Sequence, residues 1–531
     1  AHMDHVAGFD DVRRFNTLNG TMVPCNPTDP GANGRTCRCI GKIMKCYAMR
    51  ETEEQMHRIF PYISAKGGEH GLYRPQIEFD NADSFEIGSM RVERVKVEHG
   101  FPCCGYLIRE QARDSASLAY ISDCHEIPTA TVAKIRAEME RRVFTPYLQA
   151  ARGDRKHMWS FFALSNWCAV CHSGVVRAAL AYYEDPKRRA EFIEGAERGM
   201  PYFLQSFLAD GYCTEGMGYW NYGFGNFLEL TTAVKEATGG YLDFSKLDRA
   251  ETAMRYAFNY RMTPTQCPIF ADGGGGYPTD RNVELGVGFW PELKPLRDDR
   301  LAINSFFPNA QIYIGRGQHL QLGIKGGGND DAHNHNDVGS YYVMFGEKFV
   351  SGDAGGEEYT RFTFSSQRYE SKILNSYGHP VPVVGGKLQS LGREAAAKVV
   401  SKDLSGAVKT VVLDLTSAYA VPALKSLVRT FAYDRAAKTF AVTDRVEFSE
   451  PTAFETPFNT YLRESNPTCA VNNGVAKVGW NVRPEVSVKG GACELVEEDI
   501  PNPNRISPRR VAVRFTRPVT SAEVTQTYRH P

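Results

Sequence analysis

The chain has 531 residues, 42% hydrophobic and 23% charged, the proportions of an ordinary globular protein. Lys plus Arg equals Asp plus Glu at 62 each, so no net field draws it to nucleic acid or an anionic membrane, and an acidic ligand would need a local basic cleft. No stretch approaches the ~20 uninterrupted apolar residues of a membrane span. The length exceeds what one hydrophobic core serves, which predicts two or more domains.

Ala1-His2-Met3 reads as a cloning remnant, so any signal peptide is expected to have been removed. Cys25, Cys37, Cys39 and Cys46 cluster near the start, Cys103 and Cys104 are adjacent, and Cys168 and Cys171 form a CxxC on a predicted helix. The total of 13 is odd, leaving at least one free thiol, which argues against a fully paired secreted framework. The early cluster lacks the paired CxxC of a zinc site, and structural or partly disulfide-bonded cysteines are expected. No βαβ pattern surrounds Cys168 and Cys171, so small buried hydrophobes are expected there rather than a redox pair.

From about Thr129 to Ala237 the apolar rhythm is helical: Thr131 to Leu148, Asn166 to Tyr183 and Ala190 to Phe207, with Asp185-Pro186 and Thr238-Gly239-Gly240 as breaks. Helix pairs of this length suit an (α/α) toroid with a central cleft. The glycine run after Asp272 lacks the ending of a phosphate loop and reads as a flexible active-site loop or a plain turn. After Pro291 short apolar or alternating runs, from Gln311-Ile312-Tyr313-Ile314 to Val511–Thr516, are split by Gly, Asn, Asp and Pro, the texture of an antiparallel β-sandwich. The predicted domains are therefore 1–300, mainly helical with an irregular Cys-rich start, and 301–531, a sandwich.

The chemistry concentrates in Asp330-Asp331-Ala332-His333-Asn334-His335-Asn336-Asp337, Gly352-Asp353-Ala354-Gly355 and Asn375-Ser376-Tyr377-Gly378-His379-Pro380. In a strand His333 and His335 would project to one face, so ligands from neighbouring strands could close a site around one of them. His335, Asp353 and His379 are the set expected to hold a divalent metal. Two imidazoles and a carboxylate suit zinc, with manganese or calcium left open. An isolated HxH beside Asn and Asp is also what a polar turn looks like.

The run Gly326 to Gln389 resembles the metal-binding core of the heparinase II/III group of polysaccharide lyases, which includes oligoalginate and broad glycosaminoglycan lyases. The resemblance implies that His333 is catalytic and that His335, Asp353 and His379 are ligands of a mainly structural metal. Ser165-Asn166-Trp167 resembles the family helix that faces the substrate carboxylate, and the segment from Asp210 to Tyr222 resembles the one carrying a catalytic tyrosine. Tyr219 and Tyr222 share a helix face. The spacing from Asn166 favours Tyr222, with Tyr219 in reserve, and Trp167 stands where some relatives have a histidine. Tyr369 could serve substrates of the opposite stereochemistry, or be a packed strand residue. Arg361, Arg368 and Lys372 offer cations for carboxylate or sulfate, or form a solvated strand face. Trp167, Glu215, Arg361 and Arg368 are thus the expected substrate-binding residues.

These features imply a lyase cutting a uronic-acid polysaccharide, foremost a glycosaminoglycan, by β-elimination to unsaturated products. Alginate cleavage, metal-dependent hydrolysis and glycan binding without turnover are the alternatives. The expected setting is the bacterial periplasm or exterior, as monomer or homodimer, with an acidic polysaccharide as partner and neither nucleic acid nor a membrane span.

Overall fold

A computed structural model describes residues 43–60, 77–98, 103–110, 117–121, 126–154, 158–273, 276–297, 301–462, 484–503 and 507–530, residues 156 and 505, and the short strands Thr21–Pro24, Cys37–Ile40, Ala470–Asn472 and Val475–Lys477. Among them no helix is long and apolar enough to cross a membrane. The chain divides into two compact units, Ala1–Pro146 and Tyr147–Pro531.

The first unit departs from the mainly helical expectation. Its described residues include an antiparallel four-stranded sheet, Ser84–Ile87, Met90–Val97, Cys103–Glu110 and Ser117–Tyr120, followed by the helix Thr129–Met139. Val95 and Val97 are buried two residues apart, the alternation of a half-covered strand. Cys46, Cys103, Cys104, Cys168, Cys171, Cys213, Cys267 and Cys493 are free thiols. The side chains of Cys25, Cys37 and Cys39 lie outside the described residues.

The second unit has helices first and sheets after. Helix α1 (Asn166–Tyr182) packs against α2 (Pro186–Gln205) and α3 (Met217–Ala237), and α4 (Ala250–Asn259) and α5 (Asp280–Phe289) follow. Asp185 caps α2 by accepting from the Lys187 amide at 3.0 Å, with Pro186 at the first helical position, where its missing N–H costs nothing. Gly199 of α2 lies against the His172 ring of α1, and a Cβ there would stand 2.1 Å from Nε2, so only glycine permits the approach.

Two antiparallel sheets form the sandwich. In chain order their main strands are β1 (Asn304–Phe307), β2 (Ile312–Gly315), β3 (Leu320–Lys325), β4 (Tyr341–Phe345), β5 (Lys348–Gly352), β6 (Lys398–Asp403), β7 (Val408–Asp414), β8 (Leu424–Asp434), β9 (Thr439–Thr452), β10 (Phe454–Leu462), β11 (Glu485–Lys489), β12 (Cys493–Asp499), β13 (Ser507–Phe515) and β14 (Val519–Arg529). One sheet runs β12-β13-β10-β5-β4-β3-β2-β1, and the other contains β6-β7-β8-β9-β14-β11. Leu427, Phe431 and Tyr433 of β8 and Phe440, Val442 and Val446 of β9 alternate inward and meet Leu322, Ile324, Tyr341 and Val343 of the first sheet. The fold class read from the sequence, a helical domain followed by an antiparallel sandwich, is the one observed.

One polar group crosses this core. Arg429 on β8 faces Asp444 on β9 in register, with Nε and Nη2 on the two carboxylate oxygens at 2.6 and 2.7 Å. Its Nη1 donates to the carbonyls of Gly339 (2.9 Å) and Pro380 (2.6 Å), fixing the loops that carry Asp337 and His379. Gln389 adds a second fixture, bonding both the amide and the carbonyl of Val338.

In the helical layer His172 is fully buried between Tyr147 and Phe161. A carbonyl only accepts, so Nε2–H donates to Phe161 O at 2.9 Å, leaving Nδ1 to accept from the Tyr147 hydroxyl at 2.8 Å. Burial pushes its pKa down to about 4, against a smaller upward pull from the Phe161 carbonyl. The unfolded chain therefore binds a proton that the folded one refuses between about 6.5 and 4. Stability should fall, by on the order of 3 kcal/mol from this group, as pH drops through that window. Denaturant titrations at several pH values should give a shallower loss for His172→Gln, whereas equal slopes would remove His172 as the cause.

Candidate active site

His333 and His335 lie in a turn between β3 and β4 rather than in a strand, with the Asn334 amide bonded to Asp331 O at 3.2 Å. His333 takes φ 57°, a left-handed conformation uncommon for a residue with a Cβ. The two rings nevertheless converge, because both reach Asp272. The carboxylate of Asp272 accepts from His333 Nδ1 on Oδ2 and from His335 Nε2 on Oδ1, each at 3.0 Å. Arg368 Nη2 lies 2.9 Å from both oxygens, and the Tyr359 hydroxyl is 3.3 Å from Oδ2. Burial opposes ionisation of Asp272, but these donors outweigh it and hold its carboxyl well below the usual range.

The loop bearing Asp272 is seated by glycines. Gly218 N donates to Gly273 O at 3.0 Å, and a Cβ on Gly273 would lie 2.2 Å from Glu215 O. Backbone contact this close brings the start of α3 against the Asp272 loop. Glu215, buried just ahead of α3, accepts from Asn166 Nδ2 at the start of α1, and its Oε2 is 4.0 Å from His333 Nε2.

Tyr219 is the tyrosine of α3 that meets His333, with ring centroids 4.6 Å apart. Its hydroxyl is 2.5 Å from that of Tyr359, which is 3.1 Å from His333 Nδ1. Burial raises the pKa of Tyr219, partly offset by the bond to Tyr359, so the resting hydroxyl is protonated. Tyr222, one turn further on, is 49% exposed, and its carbonyl accepts from Asn226. Asn166, Glu215, Tyr219 and His333 are thus brought together. Tyr369 instead bonds Asn334 Oδ1 at 3.0 Å, Arg361 lies over Phe362, Arg368 is committed to Asp272, and Trp167 is half exposed against Trp159.

Beside these residues one donor atom from each of His335, Asp337 and His379 lies within 4.8 Å of the others, all three residues buried. Asp272 accepts from Nε2–H of His335, which leaves Nδ1 a lone pair in the neutral ring. Asp353 accepts from Nδ1–H of His379 at 2.6 Å, which likewise frees Nε2. His335 Nδ1, His379 Nε2 and Asp337 Oδ2 are buried without a hydrogen-bond partner, an arrangement that calls for a cation. Two imidazole nitrogens and a carboxylate oxygen fit a divalent metal. Asp353, expected as a ligand, occupies the outer nitrogen of His379, and its other bonds go to Ser340 Oγ and the Gly355 amide. That is the place of a residue that orients a ligand. Lys325 holds the second oxygen of Asp337.

Asp272, Asp337 and Tyr359 were missed by sequence reasoning. Asp337 closes the DAHNHND run and could have been weighed with His335. Asp272 heads the glycine run, whose small residues were a signal of close backbone approach. Tyr359 carried no local signal.

No protein-family model and no curated protein matches the sequence. Solved structures do. A heparinase III superposes with TM-score 0.56 at 14% identity, covering 68% of this chain and 59% of that one. A second heparinase III gives 0.53 at 15%, covering 68% and 61%. A mutant of the heparan sulfate lyase HepC from Pedobacter heparinus gives 0.54 at 14%, covering 76% and 64%. This chain therefore has a heparinase-like polysaccharide lyase fold, and it spans less than two thirds of the length of these structures.

Replacing Asp272 by Asn removes the one charge on which two histidines and an arginine converge. Breaking a buried charged network of this kind costs about 3–5 kcal/mol. Urea titration of Asp272→Asn should show a loss of that size, and a loss below about 1 kcal/mol would mean the network is not what holds the turn.

Proposed function

We propose that the protein is a lyase that cleaves a uronic-acid polysaccharide by β-elimination, with a glycosaminoglycan of the heparan sulfate type as the first candidate substrate. The observation that carries this reading is the convergence of a carboxylate-bound histidine, a protonated tyrosine and, through Glu215, a buried asparagine amide: His333, Tyr219 and Asn166. The fold shared with a heparan sulfate lyase supports the substrate class.

Elimination removes the proton at C5 of the uronic acid and breaks the bond from C4 to the bridging oxygen. A carboxylate oxygen cannot donate, so Asp272 holds the proton of His333 on Nδ1 and leaves Nε2, 4.0 Å from Glu215, with the free lone pair. His333 is thus the base for C5–H. Tyr219, its hydroxyl kept protonated, delivers a proton to the departing C4 oxygen. Charge that builds on the uronic carboxylate needs a donor that is already in place, and Asn166 supplies an amide N–H while Glu215 fixes its orientation. Tyr222, favoured by spacing, gives way to Tyr219 in this assignment.

A divalent metal, zinc by donor type, would be held by His335, Asp337 and His379, with Asp353 orienting His379. Bound there, it supplies a cross-link between the turn that presents His333 and the loop of His379. The polymeric substrate argues for action outside the cytoplasm.

Incubation with heparan sulfate, chondroitin, hyaluronan and alginate should yield an ultraviolet-absorbing unsaturated product from at least one polymer. Chain shortening without that absorbance would mean hydrolysis and sink the reading. Tyr219→Phe should lower kcat by about two to four orders of magnitude, the usual weight of proton transfer, while Tyr222→Phe stays within threefold. The reverse pattern would return the role to Tyr222. Metal analysis after dialysis should find one ion in the unaltered protein and none in Asp337→Asn, with affinity about 10- to 100-fold weaker in Asp353→Asn. Full metal content in Asp337→Asn would move the third ligand to Asp353.

A further inference from the structure

The end of the sandwich away from the His335 turn holds a cavity of about 390 Å³, whose lining includes Gly317, His319, Leu320, Tyr433, Arg435 and Lys438. Its walls are the turn between β2 and β3 and the turn between β8 and β9, one from each sheet. Strands β3 and β4 pair with Leu320 opposite Phe345 and Ile324 opposite Tyr341, so the turn of His333 and His335 leaves from the other end of the same strands. The six residues of β3 set the two ends apart by roughly 17 Å. The cavity is therefore a different place from the site described above.

Its floor is held by bonds between the sheets. The Tyr433 hydroxyl donates to the Leu320 carbonyl at 2.7 Å, and a Cβ on Gly317 would meet that hydroxyl, so glycine lets the first turn lie close upon it. His319 and His530, the residue after β14, lie with ring centroids 5.0 Å apart, and the His530 amide donates to Lys438 O at 3.0 Å. Both turns and the end of β14 are thus fixed to one another around the opening.

The charge there has one sign. No lining residue is a carboxylate, and neither Arg435 nor Lys438 has an ion-pair partner among the described residues. The adjoining carboxylate, Asp434, accepts from the Ala437 amide at 2.9 Å. In a chain with 62 acidic and 62 basic residues this is a local departure from balance, and it favours an anion. Lys438 closes its turn at φ 53°, a left-handed conformation in which glycine or asparagine is the ordinary occupant. A lysine kept in a strained position beside a cavity is the kind of outlier that points to a function.

We propose that this cavity binds a tetrahedral oxyanion, a sulfate or phosphate group, either free or esterified to a sugar. Arg435 offers a planar fork for two oxygens, Lys438 a point charge and His319 a ring N–H. The volume has room for a group that carries the anion as well as for the anion itself. Nothing in this assignment depends on the lyase reading.

The test is calorimetric titration of the full chain with inorganic sulfate, inorganic phosphate, glucose 6-sulfate, glucose 6-phosphate and plain glucose, at one ionic strength set with sodium chloride. At least one oxyanion should bind saturably, and glucose should not. The double variant Arg435→Gln with Lys438→Gly should weaken that binding by about tenfold or more, while Lys438→Arg stays within about threefold. Lys438→Gly relieves the turn, so its Tm without ligand should hold or rise, which separates lost binding from lost fold. Esters that bind about tenfold tighter than the inorganic ions assign the ligand to a substituted sugar, and equal affinity assigns it to the free ion; either result upholds the site. Unsaturable heats with every oxyanion, glucose binding as well as its esters, or saturable binding unchanged in the double variant overturns it. No arm reads chain cleavage, so failure of the lyase reading would be seen separately.

Discussion

A single buried carboxylate, Asp272, joins the two halves of the site. Its oxygens receive His333 on one side and His335 on the other, with Arg368 across both. An acceptor in that position dictates which nitrogen of each ring keeps its proton, and so which lone pair is left over. For His333 the free atom is Nε2, 4.0 Å from Glu215; for His335 it is Nδ1, grouped with His379 and Asp337. Both tautomers are consequences of one interaction. Moving that carboxylate by an ångström would disturb both.

The close approach of backbones around Asp272 explains why glycines crowd there. Gly216 and Gly218 at the head of α3 touch Gly273, and Gly356 touches Asp272. A side chain at any of these places would push α3 away from the turn of His333, and Tyr219 would lose its ring contact. The head of α3 and the Asp272 loop therefore meet through main chain, which leaves little room for adjustment.

Much of this was legible in the sequence for identifiable reasons. Helix and strand texture follow from periodicity, and the short alternating runs after Pro291 read as the antiparallel sheets that are observed. His333, His335 and His379 stood out through the resemblance of the surrounding run to a known metal-binding core, since an isolated HxH is also what a polar turn looks like. Other features were not legible. Tyr219 and Tyr222 lie three residues apart on one helix, and spacing cannot tell which of two neighbours on a face meets His333; in the fold Tyr219 does, and Tyr222 is half exposed. Tyr359 belongs to a loop after β5 that folds back over His333, and local sequence does not encode where a long loop returns. The strands before Thr129 were overlooked because their runs are short and interrupted.

The Arg429 clamp has a bearing on the order in which the molecule assembles. Its guanidinium reaches back from β8 to the carbonyls of Gly339 and Pro380, and the hydroxyls of Tyr341 and Ser351 meet that of Tyr528 on β14. Contacts spanning so much chain close late, after loop entropy has been met by sheet pairing. The turn of His335 therefore gains its final shape only once the distal strands have joined the sandwich. A nascent chain would carry its imidazoles and carboxylates as loose, independent groups until then, so their final spacing belongs to the finished scaffold.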